Sequence, residues 1–150
     1  MNARARAKRN LWIEAAAVLI FCAFIGAWFI ISSTRPLDAA KLAIHAGDLR
    51  SFSASASLLS DQFSNGNVTG TFFHEQTELL RDKVDDVRET LETSDIAPEL
   101  TNSADRLKDV SKRVGIILES DNVAGHNYEL KNYAASLRSL EDALKKEADK

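Results

Sequence analysis

The chain has 150 residues, a formal net charge of -3 and one cysteine. That length suits one domain with at most a small appendage and excludes a large multidomain enzyme, and a lone cysteine excludes a disulfide-stapled fold. The 45% hydrophobic content is unevenly spread, so the average hides an apolar segment and a polar remainder.

Residues 1–10 carry Arg4, Arg6, Lys8 and Arg9 and no acid. Residues 11–31 form a run of 21 in which only Glu14 and Gly26 fall outside the hydrophobic class. At ~1.5 Å rise per residue a helix of that length reaches ~31 Å, matching the ~30 Å hydrocarbon layer of a bilayer. A cleaved signal peptide has a shorter apolar region, of ~7–15 residues. The expectation is an uncleaved signal-anchor helix in the inner (cytoplasmic) membrane of a bacterial cell. The positive-inside rule places residues 1–10 in the cytoplasm and the chain after the anchor in the periplasm or outside. Trp12 and Trp28 stand near the two ends, where aromatic belts form.

The expected first partner is therefore the lipid bilayer, through residues 11–31. At 100° per residue, Ala15, Ala16, Cys22, Ala23, Gly26 and Ala27 share one half of the anchor surface. Cys22-x3-Gly26 and Ala23-x3-Ala27 have the small-xxx-small spacing that lets membrane helices approach closely. This is the expected packing face for another membrane protein or a second copy; the plainer reading is that such residues are common in membrane helices. Glu14 lies within a turn of the cytoplasmic end, where snorkelling toward the headgroups is favoured over pairing with a partner.

After a short linker at 32–36, the segment 37–150 is expected to be an all-α domain, an antiparallel up-down-up-down four-helix bundle. Apolar residues recur at alternating steps of three and four, the seam of packed helices. The seams are Leu42, His45, Leu49, Phe52, Ala56, Leu59, Phe63; then Phe73, Thr77, Leu80, Val84, Val87, Leu91; then Leu100, Ala104, Leu107, Val110, Val114, Ile117; then His126, Leu130, Tyr133, Leu137, Leu140, Leu144. They predict helices over about 37–64, 71–93, 98–121 and 127–148. The Asn65–Gly70 cluster, Pro98 and Gly125 supply the breaks, and connections this short favour antiparallel neighbours. Ser51 to Leu58 alternates with period two, a strand signal, but the helical seam runs through it unbroken and its residues are mostly small, so helix is retained.

The search for chemistry gives no catalytic, cofactor-binding or metal site. His45 stands far from the bundle tip that holds His74 and His126, so the three cannot share one ion. His74 to Glu78 places Glu where a zinc-protease helix needs its second His, and no Glu-x-x-His occurs. There is no Gly-x-Ser-x-Gly, and the six glycines are scattered singly rather than gathered into a phosphate loop. Residues 34–150 carry 15 basic and 21 acidic side chains, which disfavours nucleic acid. Burial of His45 and His126 at seam positions would weaken the bundle as pH falls.

One ordered polar feature remains. Glu78, Asp82, Asp85, Glu89 and Glu92 repeat at steps of 4, 3, 4, 3 and make an acidic stripe facing away from the second seam. Like charges four apart cost ~0.2–0.5 kcal/mol per pair. Arg81 with Asp85 and Arg88 with Glu92 are expected to offset part of that. A basic partner or a divalent cation would suit the stripe, while ordinary solvation of an exposed helix is its plain reading.

The layout, an apolar span leading into four amphipathic helices, is similar to the outer sensing domains of bacterial chemoreceptors and histidine kinases. The likeness is architectural, and those families also carry a second membrane helix and an output domain that this sequence does not show, so no residue role is transferred. The expected function is a non-enzymatic, membrane-anchored accessory or scaffold protein that binds another membrane protein. The alternative is an extracytoplasmic ligand- or cation-sensing module acting through a partner.

Overall fold

The computed structural model of the chain describes residues 36–150. The expected cytoplasmic tail (1–10), the expected anchor (11–31) with its packing face and Glu14, and most of the expected linker lie outside the described residues. The all-helical expectation holds: the described residues contain four α-helices and no strand beyond an isolated two-residue bridge. No helix among them is long and apolar enough to cross a membrane.

Helix α1 runs Ala39–Ser64. It starts two residues later than the seam suggests because Asp38 caps it, its carboxylate accepting the Lys41 N–H at 2.9 Å. Leu37 instead stays extended and bridges to Ile96, its N–H donating to the Asp95 carbonyl at 2.7 Å. At the far end Gly66 takes φ +71°. Its N–H donates to the Phe63 carbonyl and that of Asn67 to Gln62, the paired closure that satisfies the last carbonyls of a helix ending on a left-handed glycine.

Helix α2 is Gly70–Thr93, with the Thr69 hydroxyl accepting the Phe72 N–H. Pro98 does not open the third α-helix as expected. It opens a 3-10 turn, Pro98–Leu100, and helix α3 occupies Thr101–Glu119. Proline's locked φ and missing N–H suit the first turn of either helix type, and spacing alone does not distinguish them. A second 3-10 turn, Val123–His126, precedes helix α4, Asn127–Ala148. His126 therefore sits in a turn and is half-exposed rather than in the core seam.

The predicted seams form the core. Leu42, Leu49, Val84, Leu91, Leu107, Val114, Leu130, Leu137 and Leu144 are all under 2% exposed. Each leucine so buried contributes roughly 1.5–3 kcal/mol of hydrophobic stabilisation. Phe63 marks the seam's limit, being 37% exposed and stacked on Phe73 with ring centroids 4.3 Å apart. That stack joins the end of α1 to the start of α2, so the two run in opposite directions. Arg50 meets Glu141 and Asp61 meets Lys131, so α1 and α4 are opposed as well. Gly115 of α3 lies against Val84 and Arg88 of α2.

The Ser/Ala tract resolves as helix. Ser53, Ala56, Ser57 and Ser60 are buried while Ser51, Ala54, Ser55 and Leu58 are exposed. Ser53 and Ser60 satisfy their buried hydroxyls by donating to the carbonyls of Leu49 and Ala56, both at 2.8 Å. Small side chains at these positions let α1 and α4 pack more intimately than the other helix pairs.

Candidate functional site

The five acids of the α2 stripe differ in exposure. Glu78, Asp82, Glu89 and Glu92 are exposed, Asp85 is half-buried, and Thr77, Val84, Val87 and Leu91 occupy the opposite, core side of α2. The compensating pairs differ from expectation. Arg81 contacts Asp82 at 3.6 Å rather than Asp85, and Arg88 contacts Asp85 at 2.9 Å rather than Glu92. Arginine stems on a helix reach whichever carboxylate their rotamer favours, and three- and four-residue spacings are both in range. His74 adds a contact to Glu78 at 3.4 Å. Among the described residues Glu89 and Glu92 have no ion pair, nor do any three His, Cys, Asp or Glu side chains gather to hold a metal ion.

The three histidines differ in their settings. His74 is exposed and His126 contacts Glu129 at 3.2 Å. His45 is the one driven into the bundle: its Nδ1 is buried without a hydrogen-bond partner, and burial pushes its pKa below the ordinary 6.5 while Asp48 pulls the other way.

A feature that sequence reasoning missed lies between α1 and α4. On the exposed side of α1, Ala40, Ile44, Gly47, Ser51, Ala54 and Leu58 repeat at steps of 4, 3, 4, 3, 4. Ile44 is 62% and Leu58 61% exposed. These residues floor a groove whose other wall is Ala134, Ala135, Arg138, Glu141, Lys145 and Ala148 of α4. The groove holds two open depressions of about 610 Å³ and a smaller one of about 270 Å³ near Asp61. The first depression is lined by small residues, Leu58 and the guanidinium groups of Arg50 and Arg138, with no carboxylate in its lining.

Glu141 sits in the groove wall with its side chain 8% exposed. Lys145 Nζ donates to Oε1 at 2.5 Å, and Arg50 Nε lies 3.2 Å from Oε2 without an aligned hydrogen bond. The lysine hydrogen bond, with the nearby positive charges of Arg50, Lys145 and Arg138, holds the carboxyl below the usual carboxylate range against the cost of burial. A methyl group at Gly47 would touch the carboxylate at 3.4 Å, an ordinary contact. Upper down the bundle axis, Asp61 receives Asn127 and Lys131, and Ser57 donates to Asn127. Polar groups thus join α1 to α4 at two levels.

A further cavity, about 270 Å³, is lined by Phe63, Phe73, Thr77, Leu118 and Val123 among others. It is smaller than the ~300–1,000 Å³ of ordinary small-molecule pockets. Comparison of the chain with protein-family models, curated proteins and solved structures gives no match.

Proposed function

We propose that this chain is a single-pass, membrane-anchored accessory or scaffold protein. In this reading, residues 11–31 span the inner membrane, the basic tail stays in the cytoplasm, and an up-down-up-down bundle works outside as a binding surface rather than as an enzyme. The anchor's small face, with Ala15, Ala16, Cys22, Ala23, Gly26 and Ala27, binds another membrane helix. The observation that carries the reading is the α1–α4 groove. Helix α1 fills the core with one side and presents a second, uncharged three-four seam on the other, and α1 begins eight residues after the apolar run ends. A seam that repeats over more than four turns without a charge is the pattern by which helices dock.

The test is purification of the tagged full chain from native membranes in mild detergent. A stoichiometric complex with a membrane protein, or an oligomer of the chain, is expected. Bulky substitutions, Gly26→Leu with Ala23→Leu, are expected to weaken assembly without unfolding the bundle. A monomer indifferent to both changes would contradict the reading.

A further inference from the structure

The groove and the acidic stripe complement each other in charge and in level. The first depression of the groove holds Arg50 and Arg138 and no carboxylate, although acids outnumber bases in the domain. Arg138 has no ion pair among the described residues. The opposite character appears on α2, where Leu79, Asp82, Asp86 and Glu89 follow at steps of 3, 4, 3 and are all exposed, Leu79 by 54%.

The levels follow from contacts within one chain. Lys83 stands over the Phe52 ring, 5.8 Å from its centroid, and Phe73 stacks on Phe63. Counting along the helices from Phe52, Arg50 is level with Asp85 and Asp86, and Leu58 is within a turn of Leu79. Glu141 stands beside Arg50, so Arg138, three residues earlier on the opposed helix, is level with Asp82. The two guanidinium groups and Leu58 thus match the two carboxylates and Leu79 in height and in order.

We propose that the α1–α4 groove receives the outer face of α2 from a second copy of this chain in the same membrane, Arg138 meeting Asp82, Arg50 meeting Asp86 and Leu58 packing on Leu79. This rests on the anchor reading above, because identical chains tethered through the same residues present side-by-side bundles at equal heights. Within one membrane α1 of every copy has the same sense, so the incoming α2 lies antiparallel to α1 and parallel to α4. The contact joins two different surfaces, so a pair of copies keeps one groove and one α2 face unused, and association continues into rows or closes into a ring. Arg50 keeps Glu141 as its partner within the chain and bridges to the incoming carboxylate through its other donors. The Arg81–Asp82 pair is a weak competitor, since its 3.6 Å contact involves an exposed carboxylate that water screens.

The test uses the full chain in native membrane vesicles, with Cys22→Ala removing the only cysteine and a short bismaleimide as cross-linker. Ser55→Cys reports the groove and Leu79→Cys reports α2. Each variant alone is expected to stay monomeric on the gel, while vesicles co-expressing both give a dimer band. Arg138→Glu is expected to lower that band about tenfold, as loss and reversal of a contact charge does. Asp82→Lys is expected to lower it similarly, and Arg138→Glu combined with Asp82→Lys, which reverses that one pair, to restore it. Circular dichroism of each variant checks that the bundle is folded. Self-cross-linking of Ser55→Cys would overturn the proposal in favour of α1 meeting α1. So would absence of the mixed dimer, or cross-linking only to a different protein. Release of the chain by alkaline carbonate would separately contradict the anchor reading and remove the reason for matched heights.

Discussion

His45 on α1 and Glu141 on α4 are both ionisable groups drawn out of water, and they act in different pH ranges. For His45, burial lowers the native pKa below 6.5. The unfolded chain therefore binds the proton more readily, and the penalty is absent above about pH 6.5 and grows as pH falls through that value. For Glu141 the native pKa is lowered from 4.5, so its contribution is present at neutral pH and is lost only below that range. Thermal melts are expected to show a decline between pH 7.5 and 5.5 that His45→Gln flattens; a decline of equal size in that variant would contradict the assignment. Glu141→Gln is expected to cost about 1 kcal/mol at pH 7, a small value because Arg50 and Lys145 regain water and are screened. Its effect should fade as pH falls through and below the ordinary carboxylate range. Neither role was fully legible in the sequence. His45 could be placed on a seam, but Glu141 reads as one acid among many until the close approach of α4 to Gly47 is known.

At the scale of the helices, glycine substitutions separate two uses of the same residue. Gly47 lies within α1, and a methyl group there meets Glu141 at ordinary contact distance. Gly47→Ala is expected to stabilise the bundle by roughly 0.5–1 kcal/mol through helix propensity. Gly66 holds φ +71° at the end of α1, and Gly66→Ala is expected to destabilise by roughly 1–2 kcal/mol. Chemical denaturation of the two variants reads opposite signs; a like sign would mean the α1 terminus is not closed as described. The seams made the helices legible. Leucine and valine at three-four spacing mark both a helix and its buried side, and Asn65–Gly70 marks the turn. Pro98 gave the position of a break but not the 3-10 geometry that follows. The second seam of α1 escaped notice because Ala40, Gly47, Ser51 and Ala54 carry little hydrophobicity, and only the exposure of Ile44 and Leu58 gives the face away. That same two-sidedness leaves α1 the least one-sided of the four helices.

For the bundle as a whole, the closed core and the open α1–α4 groove lie on different sides of the same helices. Leu107→Ala or Leu137→Ala opens a cavity in the closed core and is expected to cost roughly 2–5 kcal/mol. Leu58→Ala removes an exposed side chain and should change folding stability by less than about 0.5 kcal/mol. If Leu58→Ala unfolds the domain as Leu107→Ala does, the groove belongs to the core and is not a surface for partners. Attachment to the membrane is the claim on which the functional reading turns, and it was drawn from the apolar run and the basic tail alone. The most direct measurement places a single cysteine at the C-terminus, Lys150→Cys in the Cys22→Ala background, and labels intact spheroplasts with a membrane-impermeant maleimide. Labelling in intact spheroplasts, with the chain retained in the carbonate-washed membrane, is the expected result. Protection of that cysteine until the cells are lysed would contradict the account.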